Sequence, residues 1–277
     1  MDYLPEHIES AQVFMTIKTY PNLSQKYGEL VCTAGVCNGK LIRIYPIQFR
    51  DLSEYQQFKK FQWIEVSLQK RDKGKDFRLE SYSPVGEIKL LEHISTQRGG
   101  WSARMKELSS LIMHDNMQEL IEISKQPPFP SLAILKPREI IGFKIESCSR
   151  EWTEAQKAHF MQPDFFKDIA PLTLKKLPYK YSYQFITNDN QERTLMIEDW
   201  EIGALYWNCL NDSDGNEAVA NQKVKEKYMS IAVNPNTFFF VGTTLAHHRI
   251  SPNPYIIIGV AYPPPSFNAN IIQPDLF

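Results

Sequence analysis

The sequence predicts an α+β protein whose strands form a mainly antiparallel sheet or partly closed barrel, with the helices in separate blocks. Residues 30–47 contain two β-branched apolar runs around an Asn-Gly pair, which accepts the positive φ angles of a tight hairpin turn. Further on, Ile64, Val66 and Leu68 alternate with less apolar residues, which is the period of a half-buried strand. Helical patterns follow the strands in blocks.

The first half, residues 1–125, is expected to form the sheet or barrel and two following helices. Its strands are predicted at 13–20, 30–36, 41–47, 63–68, 77–82 and 87–91. Its helices are predicted at 53–62, 102–113 and 117–125. Asn116 suits the N-cap of the last helix, because its short side chain accepts a hydrogen bond from a free backbone amide. The predicted interior consists of the alternating apolar residues Ile42, Ile44, Ile64, Val66 and Leu68.

The second half, residues 126–265, begins at a proline-rich hinge, 126–130. Its strands are predicted at 132–135, 142–146, 179–185, 193–197, 237–241 and 255–262. Its helices are predicted at 154–161, 197–209 and 217–231. Whether the strands at 132–135 and 142–146 return to the first sheet, so that both halves share it, stays open. Residues 266–277 are predicted to be a tail.

The composition is that of a globular protein, with 277 residues of which 43% are hydrophobic and 23% are charged. A net charge of −1 excludes a globally basic nucleic-acid binder but allows a local basic patch. The four cysteines form no CxxC pair, so we expect reduced thiols, such as Cys32 in the core, and neither a metal site nor a cofactor. Without a signal peptide or an apolar run of membrane length, the protein is expected to be cytoplasmic and free of membrane contact.

Five segments resemble a family of bacterial proteins that has no settled activity. They are TIKTYPNLSQKYGELVCTAGV, LIRIYPIQFRDL, FKKFQWIEV, IEDWEIGALYW and FFFVGT…IIIGVAYPP. The resemblance extends over most of the chain and implies one shared architecture. It implies no catalytic residue.

Basic and aromatic residues of the N-terminal half are predicted to bind nucleic acid, because such modules combine cations for phosphates with aromatic faces for bases. The candidates are Arg43, Arg50, Lys59, Lys60, Trp63, Arg71, Arg78, Arg98 and Trp101. Arg43 lies within an apolar strand and therefore needs a polar partner. The alternative is that Lys59, Lys60 and the charged loop at 70–78 are ordinary solvated surface balanced by nearby acids.

The carboxylates of Glu198 and Asp199 are candidates for acid–base or metal chemistry. On a helix, Glu198 and Glu201 share a face while Asp199 points about 100° away. Acidic residues also stabilise the start of a helix, so capping is the favoured interpretation.

A second weak catalytic candidate is the pair His247 and His248. Adjacent residues of a strand face opposite ways and rarely bind one ion, so we predict no metal site there. An enzyme acting on a nucleotide would use Glu198, Asp199 and His247 or His248.

The last five residues resemble the short peptide Q-L-[S/D]-L-F, by which proteins dock on the bacterial sliding clamp. Gln273, Asp275, Leu276 and Phe277 match it, and Pro274 replaces the usual Leu. Adjacent apolar anchors on an extended peptide suit docking into an apolar groove. The alternative is that Leu276 and Phe277 pack onto their own domain.

The leading hypothesis is a DNA-associated accessory protein, acting in DNA modification, repair or defence against foreign DNA. It would bind nucleic acid, DNA or RNA, through the N-terminal basic and aromatic surface and be recruited by the sliding clamp. Two alternatives stay open. One is an enzyme acting on a nucleotide or nucleic acid, and the other is a structural subunit that uses its aromatic strands as an interface.

Overall fold

The computed structural model describes residues 4–24, 28–47, 52, 57–72, 74, 76–97, 99–154 and 175–267. The strands are β1 (His7–Lys18), β2 (Asn22–Ser24), β3 (Gly28–Cys37), β4 (Lys40–Ile47), β5 (Gln62–Lys70), β6 (Ser81–His93), β7 (Met113–His114), β8 (Leu132–Leu135), β9 (Glu139–Ser147), β10 (Tyr179–Ile186), β11 (Glu192–Met196), β12 (Phe238–Thr243) and β13 (Tyr255–Ala261). The helices are α1 (Gly100–Leu108), α2 (Met117–Ser124), α3 (Trp200–Asn211) and α4 (Glu217–Ala232). Among the described residues, no helix is both long and apolar enough to cross a membrane.

The first strands close into a five-stranded barrel in the order β1-β5-β6-β4-β3-β1, which confirms the α+β prediction and its barrel form. Neighbouring strands are antiparallel except β4 and β6, which run parallel. Counted within the barrel, the order is 1-4-5-3-2-1, the strand order of an OB-fold. Gly35 permits the closure, because a Cβ atom there would overlap the carbonyl oxygen of Phe14 on β1.

The barrel interior is the one that the period-2 pattern predicts. All five predicted side chains are at most 2% exposed: Ile42, Ile44, Ile64, Val66 and Leu68. They pack with Val13 and Met15 of β1 in one apolar cluster. Burying each such side chain is worth about 1.5–3 kcal/mol.

Residues 113–154 and 175–267 form a second unit, here called the C-terminal lobe. It contains a four-stranded sheet in the order β13-β12-β8-β7 and a three-stranded sheet in the order β11-β10-β9. The sheets meet through aromatic side chains, such as the stacked rings of Tyr183 and Phe239 with centroids 5.5 Å apart. The predicted strands at 132–135 and 142–146 therefore belong to these two sheets and not to the barrel.

The barrel and the lobe are joined by an apolar seam. Phe14 and Ala34 on the outer face of β1 and β3 pack in one cluster with Ile134, Phe240 and Ile258 of the four-stranded sheet. The lobe thus covers part of the barrel's outer surface, and two cavities lie along the seam.

Two predictions in the barrel are corrected. Residues 57–61 are not helical, and 53–56 lie outside the described residues, so the predicted helix over 53–62 fails where it is tested. Phe61 has φ +63° and its amide donates to Met15, so this segment is tied to β1. Residues 77–80 are not in a strand, so the prediction at 77–82 is wrong there; β6 begins at Ser81 and passes through Gly86 at φ +76° into the predicted strand at 87–91.

Helix ends also differ from the sequence patterns. Helix α1 ends at Leu108, five residues early, and Met113 begins β7. Helix α3 begins at Trp200, because Ile197 bridges to Ile257 of β13. The predicted helix over 154–161 lies outside the described residues from 155 onward.

Candidate nucleic-acid interface

The barrel and the C-terminal lobe enclose a cleft of about 520 Å³ at their seam. We call it the aromatic–basic cleft. Its charged and aromatic lining consists of Lys60, Phe61, Trp101, Arg104, Asp199, Glu201, Lys227, Tyr228 and Tyr262. The loop before β5 and helix α1 supply one wall, and α3, α4 and the end of β13 supply the other. The cleft therefore forms only when both halves are folded together.

Two aromatic side chains of the cleft are accessible to a ligand. The ring centroids of Trp101 and Tyr262 lie 6.3 Å apart with their planes at 53°. Tyr262 is 39% exposed, and Trp101 is partly exposed. Phe61 is buried behind Trp101 with its ring centroid 5.7 Å away. Every nucleobase has a π face, so two rings of this kind are chemically suited to stacking with any base.

Two cations accompany these rings and form no ion pair with a described residue. The Arg104 guanidinium lies 4.0 Å from the Phe61 centroid and 5.1 Å from the Trp101 centroid. Burial lowers the pKa of Arg104 to about 10, so it stays charged at neutral pH. The exposed Lys227 ammonium lies 5.8 Å from the Tyr262 centroid. Arg104 is 7% exposed and its Nε donates to the Ile94 carbonyl at 2.8 Å, so its remaining N–H groups and the exposed Lys227 are what the cleft offers to a phosphate.

Lys60, in contrast, is already neutralised. Its ammonium donates to Asp199 at 2.9 Å and to Glu201 at 3.2 Å, and its side chain is 9% exposed. Burial opposes this charge, but the two carboxylates outweigh burial and raise the pKa of Lys60. Lys60 therefore joins the barrel to the start of α3.

Asp199 has the capping role that the sequence favours. Its carboxylate accepts from the Glu201 amide at 3.5 Å and from the Val260 amide at 2.9 Å, in addition to Lys60. With three donors and 1% exposure, Asp199 is engaged in structure.

Three other predicted cations meet in a second cavity of about 190 Å³, here called the arginine-lined cavity, on the outer face of β3 and β4. Arg78 is held by Asp76 through bonds of 2.8 and 2.7 Å and donates to the Thr243 carbonyl at 2.9 Å. Arg71 donates to the Tyr45 carbonyl at 2.8 Å. Arg43 is 5% exposed and donates to the Ser131 hydroxyl at 2.7 Å, the polar partner that its apolar strand required.

Of the other predicted nucleic-acid residues, Lys59 and Trp63 are described and line neither cavity. Lys59 is exposed, and Trp63 is half-buried against Phe14 with ring centroids 5.3 Å apart. Arg50 and Arg98 lie outside the described residues, as do the predicted clamp-binding residues Gln273, Asp275, Leu276 and Phe277.

The histidine pair divides into two environments. His248 is fully buried, with Nε2 2.9 Å from the Ser124 carbonyl and Nδ1 2.6 Å from the Thr243 hydroxyl. Because a carbonyl only accepts, Nε2 carries the proton and Nδ1 accepts from Thr243. His247 is exposed and bonds the Thr244 hydroxyl. Within the described ranges, no three His, Cys, Asp or Glu residues are arranged to hold a metal.

Sequence reasoning missed the two unpaired cations and the second accessible ring of the cleft: Arg104, Lys227 and Tyr262. A local pattern was available only for Arg104, which follows Trp101 by three residues and so shares its helix face. Lys227 and Tyr262 come from different elements far along the chain, and only the packed structure brings them to Trp101.

Comparisons with known proteins give two family models and distant structural likenesses. A family model described as Domain of unknown function (DUF8758) matches residues 9–110, and one described as Domain of unknown function (DUF8757) matches residues 113–276. No curated protein matches the sequence.

Among solved structures, the chain is similar to one from "Structure and Conformational Change of a Replication Protein A Heterotrimer Bound to ssDNA". The identity is 10% and the TM-score 0.33, over 84% of this chain and 44% of that chain. This chain thus corresponds to less than half of that neighbour, and a TM-score this low supports no statement about fold or function. The family match is the firmer result, since the second model covers more than half of the sequence: the chain belongs to the family described as Domain of unknown function (DUF8757).

Proposed function

We propose that this protein binds single-stranded nucleic acid in the aromatic–basic cleft. The observation that carries the proposal is the placement of Trp101 and Tyr262, two accessible rings 6.3 Å apart, beside Arg104 and Lys227. Stacking on such rings is worth about 1–3 kcal/mol per base, and the two cations offer contacts to phosphates. A duplex hides its base faces, so the cleft favours unpaired strands.

The barrel adds an argument by analogy. OB-folds bind oligonucleotides on the face of their second and third strands and the adjoining loops. Here the C-terminal lobe covers part of that face, and the open aromatic surface lies instead at α1 and the loop before β5. Because one fold supports many functions, the rings and cations of the cleft carry more weight than the topology.

Binding should be measured by fluorescence anisotropy with a labelled single-stranded oligonucleotide at low salt. Trp101→Ala should weaken binding by about 1–3 kcal/mol, and Trp101→Phe should keep most of the affinity because a stacking face remains. Two phosphate contacts give a slope of log affinity against log salt of about −1.4, which Lys227→Glu should reduce by about half.

Lys225→Glu is the matched control, because Lys225 is also exposed on α4 but does not line the cleft. It should leave the salt slope unchanged. If the intact protein shows no binding at low salt, or if Trp101→Ala binds as well as the parent, the proposal is wrong.

We further propose that the sliding clamp recruits this protein to DNA. Gln273, Asp275, Leu276 and Phe277 would dock in the clamp groove and bring the cleft to exposed single strands. A role in DNA modification, repair or defence against foreign DNA follows from such recruitment.

The enzyme alternative has support from one residue only. Glu198 lines the arginine-lined cavity and accepts no hydrogen bond from a described residue. Asp199 and His248, in contrast, are engaged in internal bonds. For the third hypothesis, a structural subunit, the aromatic residues Tyr181, Tyr183 and Phe239 lie buried in the lobe's own core.

A further inference from the structure

The arginine-lined cavity, between the barrel and the C-terminal lobe, is large enough for a small ion. Its volume is about 190 Å³. At about 30 Å³ per molecule, this space holds about six waters, which is room for an oxyanion and part of its hydration shell. Cys32 on β3 lines the cavity and is exposed, so solvent and small ions reach it.

The described lining of this cavity has an excess of positive charge. Three of its residues are cations and two are acids: Arg43, Arg71, Arg78, Asp76 and Glu198. Burial raises the pKa of Glu198, while Lys180 opposes this shift, so the buried position favours the neutral form of this acid. An anion is the ligand that such a lining attracts.

Two of the arginines meet at one oxygen atom. The Thr243 carbonyl accepts from Arg78 at 2.9 Å and from Arg43 at 3.4 Å. Asp76 balances the charge of Arg78 through bonds of 2.8 and 2.7 Å. No described carboxylate is bonded to Arg43, whose other partner is the neutral Ser131 hydroxyl at 2.7 Å. The excess charge beside Thr243 is therefore that of Arg43.

The environment of Arg43 leaves this charge incompletely compensated. Burial, and then the neighbouring Arg78, lower the pKa of Arg43 to about 10. Glu80, Cys32 and Asp76 raise it, but they do not offset the first two effects. Arg43 is thus charged at neutral pH although it is only 5% exposed. A buried charge of this kind gains from an oppositely charged partner, and a guanidinium has five N–H donors to offer it.

Arg71 contributes a further unused donor to the cavity wall. Its Nε is buried and has no hydrogen-bond partner among the described residues. The Asp76 carboxylate is 3.8 Å from this atom, which is too far for a hydrogen bond. Nη1 of Arg71 donates to the Tyr45 carbonyl at 2.8 Å and so holds the guanidinium in place. A buried donor without a partner costs free energy, which an acceptor oxygen at this wall would recover.

We propose that the arginine-lined cavity binds a phosphate group, with Arg43 and Arg78 donating to its oxygens from the side of Thr243 and Arg71 from the opposite segment of the lining. The forked donors of arginine match the oxygens of phosphate. Arg43 comes from β4, whereas Arg71 and Arg78 come from the segment between β5 and β6. A tetrahedral phosphate presents oxygens in several directions and suits donors from different elements better than a planar carboxylate does.

This proposal does not rest on the proposed function, because the cavity and the aromatic–basic cleft share no described lining residue. The phosphate group belongs either to a small phosphorylated molecule or to the 5′ end of a nucleic-acid strand. The second source is compatible with the fold, since Glu198 lines the cavity and the next residue, Asp199, lines the cleft.

Calorimetric titration of the full chain with inorganic phosphate tests the site. The parent should bind phosphate saturably and acetate more weakly. Arg43→Met should weaken phosphate binding at least tenfold, which corresponds to about 1.4 kcal/mol. The matched control is Arg138→Met, which removes the same charge from an exposed position outside the cavity and should keep the parent's affinity. Trp101→Ala should also bind phosphate like the parent, even if it no longer binds oligonucleotides.

Glu198→Gln provides a test of opposite sign. Glu198 is half-buried and lines the cavity, so its negative charge opposes an anion there. Its removal should strengthen phosphate binding severalfold. Because Arg43 is buried, circular dichroism must show that Arg43→Met is folded, and Glu198→Gln decides if that variant is not.

The source of the phosphate follows from a titration with oligothymidines that carry a 5′-phosphate or a 5′-hydroxyl group. Tighter binding of the phosphorylated strand, with the gain lost in Arg43→Met or, if that variant is unfolded, in competition with inorganic phosphate, assigns a strand end. Equal affinities of the two strands, together with phosphate binding, assign a small phosphorylated molecule. The proposal is overturned by absence of saturable phosphate binding or by full affinity of a folded Arg43→Met protein. If Arg43→Met does not fold, an affinity of Glu198→Gln no higher than the parent's overturns it.

Discussion

The ammonium of Lys60 lies 2.9 Å from the carboxylate of Asp199, although 139 positions separate the two residues in the chain. Lys60 precedes the strand β5 of the barrel, and Asp199 caps α3 of the C-terminal lobe. Both side chains are almost fully buried. A charge in such a place is stable only while its partner is present.

Lys60→Met should therefore lower the free energy of unfolding by about 3–5 kcal/mol, because Asp199 would be left as a buried, poorly compensated charge. The neighbouring Lys59 is exposed, and Lys59→Met should change stability by less than about 0.5 kcal/mol. Urea denaturation of the two variants and the parent measures both values. Equal stabilities for the two variants would contradict the structural role given to Lys60.

The barrel interior provides a second test. Val66 is 2% exposed among apolar side chains, so Val66→Asp places an unpaired carboxylate where desolvation costs several kcal/mol. The variant should not be recovered as soluble folded protein. The control is Gln69→Asp, at an exposed position of the same strand, which should express and melt like the parent. If Val66→Asp were as stable as this control, the inward face of β5 would be wrongly assigned.

Stability should fall as the pH drops below about 6.5. Burial lowers the pKa of His248 from its ordinary value of 6.5, while Ser124, Glu80, Arg78 and Arg43 modify the shift. The unfolded chain therefore binds a proton before the folded chain does. Protonation of the unfolded state favours unfolding, so the stabilisation is complete above the unfolded pKa and is lost as the pH falls below it.

Free energies of unfolding at pH 7.5 and 5.5 check this dependence. His248→Gln should be less stable but should show a smaller difference between the two pH values, whereas His247→Gln, at the exposed neighbour, should keep the parent's difference. Burial also lowers the pKa of His93 and of His114, so the stability of His248→Gln should still depend on pH to some extent. If the stability of His248→Gln depended on pH as strongly as that of the parent, His248 would not be a cause of the pH dependence.

The C-terminal peptide provides the test of recruitment by the sliding clamp. Leu276→Ala with Phe277→Ala removes both apolar anchors and should abolish clamp binding, for which a linear motif of this kind has an affinity in the micromolar range, about −8 kcal/mol. Calorimetric titration of the parent and of the double variant against the sliding clamp of the same organism measures this affinity. No binding by the intact chain refutes recruitment, and a lower melting temperature of the double variant would show instead that the two side chains pack onto their own fold.

Local features of the fold were determined by the sequence itself. The alternation at Ile64, Val66 and Leu68 identified a strand and its inward face, and Asn116 marked the first turn of α2, where it accepts from the Glu119 amide at 3.1 Å. Such features depend on contacts within a few residues and on the periods of strand and helix. The helix predicted over 53–62 failed where it was tested because the backbone bond of Phe61 to Met15 is a long-range one.

The candidate sites were decided by tertiary structure. The sequence treats Lys59 and Lys60 as an equivalent basic pair, but only Lys60 reaches the carboxylates of α3. Likewise Arg43, a predicted nucleic-acid contact that needed a polar partner, is 5% exposed and has one of its partners in the Thr243 carbonyl, 200 positions away. A side chain's charge and size are local properties, whereas its burial, its partner and the cavity that it lines depend on which distant elements pack against it, and a sequence pattern does not contain that information.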